Sequence, residues 1–299
     1  MNLEQARYNM VEQQIRPWEV LDQDVLDLLM TVRRDHFVPA ACVRLAFADT
    51  AIPLGHGAAM LQPVLEARFL QALQLHKSDK VLEVGTGSGY MAALLGARSD
   101  HVYTIEIEPA LAARAREHLQ RECADNVTVV EGDGSSGWPA QAPYDAILLS
   151  GSVAEISEAL LGQLKVGGRL LAVVGDAPLM QARLVTCVAE GRFQSVNLFE
   201  TSIPRLRNVP ERGKFVFWGT EMVQITAVEL NDWLNDEGRP DPLLLDVREP
   251  DEFAAYRIEG STLIPMRAIP ARLHELDRRA DVVMVCRSGA RSYHAGMFL

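Results

Sequence analysis

The chain lacks any excess of positive charge. Lysine and arginine total 29 against 40 aspartates and glutamates in 299 residues, a formal net charge of −11. A general grip on nucleic acid needs a basic face, so none is expected. Cysteine is sparse: Cys42, Cys123, Cys187 and Cys286 show neither C-x-x-C nor His-rich spacing, which speaks against a zinc site or a disulfide framework. No apolar run approaches the length of a membrane span. The opening M-N-L-E-Q-A-R-Y-N-M has no apolar core of the kind a signal peptide carries. A cytoplasmic protein without a metal is the expectation, and its length allows two domains with cores of their own.

What is present centres on Lys80 to Tyr90, K-V-L-E-V-G-T-G-S-G-Y. Apolar Val81, Leu82 and Val84 stop at Gly85, Gly87 and Gly89, and a helical run from Met91 to Leu95 follows. That pattern predicts a buried parallel strand, a tight turn and a helix whose free N–H groups face the turn. A dinucleotide fingerprint wants G-x-G-x-x-G; here the third glycine comes one residue early, and Tyr90 stands where that glycine would be. Glu83 lies two places before the first glycine, where a carboxylate repels a pyrophosphate and suits a cationic ligand. Glu106 ends the next apolar strand, His101 to Ile105, 21 residues after Gly85, the place from which an α/β site accepts ribose hydroxyls. Asp133, with Gly132 and Gly134, follows the strand after that. Acids at three strand ends and no phosphate grip point to S-adenosyl-L-methionine, an adenosyl ligand carrying an amino acid.

Residues 3 to 35 read as helices broken at Pro17, with an apolar stripe of Val20, Val25, Leu26, Leu28, Leu29 and Val32. Asp35 to Pro39 reads as an extended corner. Ala46 to Pro63 is rich in Gly and Pro without either periodicity, and reads as a long functional loop. A helix from Val64 to Leu75 leads into the central strand. Strands are then predicted at Val81–Val84, Val102–Ile105, Val127–Val130, Ala146–Leu149 and Leu170–Val174, with a helix at Pro109–Arg121. Lys165 to Gly168 reads as a turn. Leu184–Val188 and Val196–Phe199 read as a hairpin around Glu190-Gly191-Arg192, and Phe215–Trp218 as a closing strand. The fold class is α/β: a doubly wound, Rossmann-like sheet closed by an antiparallel hairpin, plus a smaller α/β domain.

The smaller unit begins near Met222. Ile225-Thr226 and a helix from Ala227 to Asp236 open it, and strands are predicted at Pro242–Val247, Thr262–Pro265 and Asp281–Val285. The last runs into Cys286-Arg287-Ser288-Gly289-Ala290-Arg291-Ser292. A cysteine at a strand end, before a loop of small residues, sits in a nest of N–H groups that favours thiolate, as do nearby arginines. Arg291 follows at C-x4-R spacing, tighter than the C-x5-R of cysteine phosphatases, and suited to a persulfide sulfur. The other three cysteines read as structural.

Residues 1–220 resemble the protein-L-isoaspartate O-methyltransferase family, a branch of the class I S-adenosylmethionine methyltransferases. The resemblance is carried by M-V-E-Q-Q-I (11–16), F-V-P (37–39), A-D-T-A-I-P-L-G-H-G (48–57) and V-L-E-V-G-T-G-S-G-Y (81–90). It continues in G-D-G-S-S-G-W-P (132–139), P-Y-D-A-I-L-L (143–149) and L-K-V-G-G-R-L (164–170). It implies methyl transfer to a carboxylate, possible isoaspartyl residues of damaged proteins or peptides among them. Glu83, Gly85, Thr86, Gly87, Gly89, Glu106, Asp133 and Gly134 would line the cofactor. The family's loop reads G-H-G-Q-T-I-S-Q-P; here Leu61 stands at the serine and Ala59 at the threonine. Another acceptor, or a cofactor-binding protein without turnover, are the alternatives this departure opens. Residues 221–299 resemble rhodanese-like sulfurtransferase domains in L-L-L-D-V-R-E-P-D-E-F (243–253), R-I-E-G-S-T-L-I-P (257–265) and V-C-R-S-G-A-R-S (285–292). That implies Cys286 as a persulfide-forming nucleophile in a loop ending at Arg291, and a further strand and helix beyond Leu299.

Overall fold

A computed structural model describes residues 2–176, 179–209, 225, 227–236, 238–276, 280–286, 292 and 295–296. The chain divides into two units, Met1–Gly213 and Lys214–Leu299. None of the helices among the described residues is long and apolar enough to cross a membrane.

The first unit opens with helix α1 (Leu3–Asn9), which Asn2 caps by accepting from the N–H groups of Glu4 and Gln5. The helix runs on through a wide turn, Met10–Ile15, into a short tight one, Arg16–Trp18, that contains Pro17. Helix α2 (Gln23–Thr31) follows, capped by Asp22, and Val20, Val25, Leu26 and Leu29 of the expected stripe are buried. Arg34–His36 is one helical turn rather than part of an extended corner. The stretch from Ala46 to Pro63 is not a free loop either. It contains a hairpin, β1 (Ile52–Gly55) against β2 (Ala58–Met60). Ile52, Leu54 and Met60 point inward, a two-residue alternation that the surrounding Gly and Pro obscure. Helix α3 (Pro63–Leu73) has its proline in the first turn, where no N–H is needed.

Strands β3 (Lys80–Val84), β4 (His101–Glu106), β5 (Val127–Glu131), β6 (Tyr144–Leu149), β7 (Leu164–Asp176), β8 (Leu179–Ala189) and β9 (Arg192–Glu200) form one sheet in the order β5-β4-β3-β6-β7-β8-β9. Its first five members are parallel, while β8 and β9 run antiparallel. Helices α4 (Tyr90–Gly96), α5 (Pro109–Arg121) and α6 (Glu158–Leu161) lie between strands. The expected turn at Lys165–Gly168 is absorbed into β7, whose pairing with β6 slips between Tyr144 and Ala146. The hairpin strands extend beyond their expected ends because β8 pairs along both neighbours. Buried residues fill both faces of the sheet, Val81 and Leu148 on one side and Leu82 and Ile147 on the other. Phe215–Trp218 lies outside the described residues.

In the second unit α7 (Ala227–Leu234) precedes β10 (Leu243–Asp246), α8 (Pro250–Ala255), β11 (Thr262–Leu263), α9 (Ile269–Arg272) and β12 (Val282–Val285). These strands form a parallel sheet in the order β11-β10-β12, over a small core of Leu245, Val247, Ile264, Ile269 and Ala295. Asp246 and Arg248 form a buried pair at the end of β10, with Arg248 Nη2 2.6 Å from Asp246 Oδ2.

Candidate functional site

Strand β3 lies between β4 and β6, and the chain winds away from it in opposite directions. A crevice therefore opens at the carboxyl ends of these strands, where parallel α/β sheets take their ligands. It holds about 750 Å³ of open space, walled by Gly85 and Gly87 after β3, Glu106 after β4, Gly132 to Ser135 after β5, and Ser150 and Gly151 after β6. Its outer wall is Gly57 to Ala59 and Leu61 from the β1–β2 hairpin, and Pro204 to Arg207 close the far side.

The turn after β3 is built as the glycine spacing demands. Gly85 and Gly87 both have positive φ, +95° and +54°, a conformation open to glycine at no steric cost. The N–H groups of Gly85 and Thr86 donate to the Ile105 carbonyl, at 2.9 and 3.3 Å. The N–H of Gly87 donates to Glu106 Oε2 at 2.8 Å, and Glu108 N donates to Oε1 at 3.0 Å. Glu106 is thereby fixed at the lip of the crevice. Gly89 shares the positive φ, +86°, and a side chain there would also meet Ala115 and Leu119 of α5, so both the turn and helix packing require its smallness. Asp133 is exposed and accepts from Ser135 N at 2.9 Å and Asn208 Nδ2 at 3.0 Å. These bonds, the backbone one first, hold its carboxyl below its ordinary value. Gly134 must be glycine, since a Cβ would sit 2.7 Å from Val84 Cγ1.

Behind the turn lies a smaller chamber, open to the crevice and with about 290 Å³ of open space counted together with its mouth, lined by Met60, Leu61, Glu66, Glu83, Thr86 and Met91 among others. Glu83 is fully buried. Its Oε2 accepts from Thr104 Oγ1 and its Oε1 from Ser150 Oγ, each at 2.7 Å. Burial pushes its pKa up to about 8, against these two hydrogen bonds, which favour the anion. Thr86 continues the chain of hydroxyls, 2.7 Å from Thr104. Glu66 is buried too, and its carboxyl is raised by burial although Arg34 pairs with it. Arg34 is wholly buried and spends its other donors on the Ala46 carbonyl, at 2.9 Å, and the Leu61 carbonyl, at 2.6 Å. Its guanidinium lies 5.0 Å from the Tyr90 ring centre.

The hairpin is strapped down over the crevice. Arg114 donates to the Leu54 carbonyl at 2.7 Å, and Arg207 donates to the His56 carbonyl. Glu108 stands 3.5 Å from His56 Nδ1 and 3.3 Å from Arg207 Nη1. Sequence reasoning passed over Glu66, Arg34, Thr104, Ser150, Glu108 and Arg207. Ser150 was within reach of it, because it follows an apolar strand as Gly85 and Glu106 do; Arg34 and Glu66 meet only through the fold, 32 positions apart.

In the second unit Cys286 is half-buried at the end of β12. Its Sγ accepts from the backbone N–H of Ser292 at 3.4 Å and lies 3.3 Å from Ser292 Oγ. Arg291 lies outside the described residues.

A twisted parallel sheet with glycines and acids at the β3 and β4 ends is the architecture of a Rossmann-like methyltransferase. The family model for protein-L-isoaspartate(D-aspartate) O-methyltransferase matches residues 5–200, and that for the rhodanese-like domain matches 226–299. The chain belongs to the protein-L-isoaspartate O-methyltransferase family and is an S-adenosyl-L-methionine-dependent methyltransferase carrying a rhodanese-like module. It is 43% identical to a protein-L-isoaspartate O-methyltransferase of Koribacter versatilis over 64% of this chain and 86% of the relative. The corresponding figures for protein-L-isoaspartate O-methyltransferase 1 of Syntrophobacter fumaroxidans are 38%, 74% and 99%. Its fold is similar to that of a putative protein-L-isoaspartate O-methyltransferase from Plasmodium falciparum solved with S-adenosyl-L-homocysteine. That match has a TM-score of 0.57 and 20% identity, and covers 69% of this chain and 99% of the other.

The residues present fit that cofactor. A side chain at Gly134 would press into Val84 and Ile105 beside the crevice, and the carboxyl groups suit a ligand with hydroxyls and an ammonium.

Proposed function

We propose that the chain methylates a carboxylate of a protein or peptide, isoaspartyl residues being the expected class, with the acceptor entering beside the β1–β2 hairpin. The observation that carries this reading is the crevice at the strand ends with the β1–β2 hairpin as its outer wall, where Ala59 and Leu61 stand beside Gly85 and Gly87. The bound cofactor supplies an activated methyl group on a sulfonium centre. The chain supplies position: Glu83 meets the ligand's ammonium, Glu106 its ribose hydroxyls, and Gly85, Thr86, Gly87, Asp133 and Gly134 shape the adenosine bed. A carboxylate is already a nucleophile, so no base is needed and alignment sets the rate. An apolar Leu61 strips water from an acceptor anion whose charge is neutralised by the transfer, and a drier site strengthens the attraction between anion and sulfonium. The test is methyl transfer to an isoaspartyl peptide by wild type and Leu61→Ser. Turnover by wild type, altered by about tenfold or more in Leu61→Ser, supports the reading. Cofactor binding with no turnover on isoaspartyl or other carboxyl acceptors removes it.

A second activity has its own observation. Cys286 takes an N–H donor from Ser292 at the sulfur, the kind of contact that stabilises a thiolate. Sulfur transfer through Cys286, with Arg291 in the same loop, predicts a mass increase of one sulfur after thiosulfate, absent in Cys286→Ser. An unmodified wild-type mass would sink it.

A further inference from the structure

Two buried carboxyl groups share the small chamber behind the glycine turn, and among the described residues the one cation beside them, Arg34, pairs with Glu66 alone. Arg34 is committed to Glu66, to the Leu61 carbonyl and to the Ala46 carbonyl. Glu83 has no ion-pair partner among the described residues, only the hydroxyls of Thr104 and Ser150. The charged and titratable groups around it are Glu66 on α3, with Arg34 and Asp49 behind it, Glu106 at the end of β4, and Tyr90 on α4. Glu66 and Glu106 both disfavour a charge on Glu83, and burial disfavours it more. An isolated carboxylate in such a place neutralises itself by taking a proton.

The hydroxyl chain accommodates either state. With Glu83 ionised, Thr86 donates to Thr104 and Thr104 to Oε2. With Glu83 protonated, the direction reverses: Oε2 donates to Thr104 and Thr104 to Thr86, across the same two 2.7 Å contacts. Thr86 lines the chamber, so the chain of hydroxyls joins the buried carboxyl to the space the ligand enters.

We propose that Glu83 carries a proton in the ligand-free protein and gives it up when a ligand ammonium enters the chamber, with Glu66 setting how readily it does so. This rests on the reading that the crevice takes the amino-acid tail of S-adenosylmethionine. The balance is simple: the ligand arrives as an ammonium, Glu83 becomes a carboxylate, and one proton leaves through Thr104 and Thr86 to solvent. Cofactor uptake is therefore proton-releasing, and affinity rises with pH until Glu83 is ionised before the ligand arrives. Glu83 is the binding residue; Glu66 acts through it as a positioning and tuning residue.

The experiment is calorimetric titration of the full chain with S-adenosylhomocysteine, in buffers of different ionisation enthalpy, between pH 6 and pH 8.5. The expected release is about one proton per ligand near pH 7, with Kd falling nearly tenfold per pH unit there. Methylthioadenosine, which has the nucleoside and thioether but no ammonium, should bind without release. Glu83→Gln should abolish the pH dependence. Glu66→Gln keeps a partner for Arg34 and should move the plateau of affinity to lower pH. A merely structural Glu66 would leave that plateau unmoved. Equal heats in all buffers for the wild type, equal release with methylthioadenosine, or an unmoved plateau in Glu66→Gln would each overturn the proposal. No binding at any pH would instead remove the cofactor reading, and this one with it.

Discussion

The backbone N–H of Gly87 donates to the Glu106 carboxylate across 2.8 Å, so the turn after β3 and the tip of β4 are held as one rigid unit. The same carboxylate accepts from Glu108 N, which ties in the start of α5. Glu106→Ala removes a carboxylate acceptor from two backbone donors, worth about 1.5–3 kcal/mol per charged hydrogen bond, and also the group proposed to face the ribose. The expected result is an affinity for S-adenosylhomocysteine lower by at least about tenfold, measured by calorimetry. Unchanged affinity would show that the ribose is held elsewhere.

Stability should depend on pH through Glu83 in a direction opposite to that of a salt-bridged carboxylate. Its folded pKa, about 8, lies above the ordinary 4.5, so between those values the folded state holds a proton that the unfolded state has released. Raising the pH through this window therefore lowers the stability of the ligand-free protein, by an amount on the order of a few kcal/mol, and the loss is complete once Glu83 ionises. Urea unfolding at pH 5, 6.5 and 8 gives the slope, and Glu83→Gln should reduce it, leaving the share that Glu66, raised by burial in the same sense, contributes. A slope that is the same in both proteins would place the titration elsewhere.

Arg207 and Glu108 clasp the hairpin tip at His56. Both are part-exposed, so their worth to global stability is small, about 1 kcal/mol or less. Their effect is local. Arg207→Ala should leave the melting temperature within a few degrees while speeding ligand release several-fold, because the outer wall of the crevice opens more often. Stopped-flow displacement of bound S-adenosylhomocysteine measures this, and an unchanged off-rate would mean that the hairpin moves without the clasp.

The central features were legible because they are local. Val81 to Gly89 writes strand, turn and helix in consecutive residues, and Glu106 and Asp133 were found by the same rule at the next two strand ends. The hairpin at Ile52–Met60 was missed because each strand is short and its glycines and proline hide the alternation of Ile52, Leu54 and Met60. At Gly89 spacing shows that a residue must be small, not which neighbour requires it, and a side chain there would meet α5. Arg34 and Glu66 carry no motif, and their pairing depends on how α3 packs behind the turn.

Arg34 gives the molecule an order of assembly. Its guanidinium joins the turn at Arg34–His36, the carbonyls of Ala46 and Leu61, and Glu66 of α3, all of them ahead of the strand that bears the glycine turn. The chamber behind that turn has no back wall until these pieces have docked. Ligand capture during refolding would thus act as a clock for the N-terminal segment: the sheet can pair early, but affinity appears only when Arg34 has found its partners.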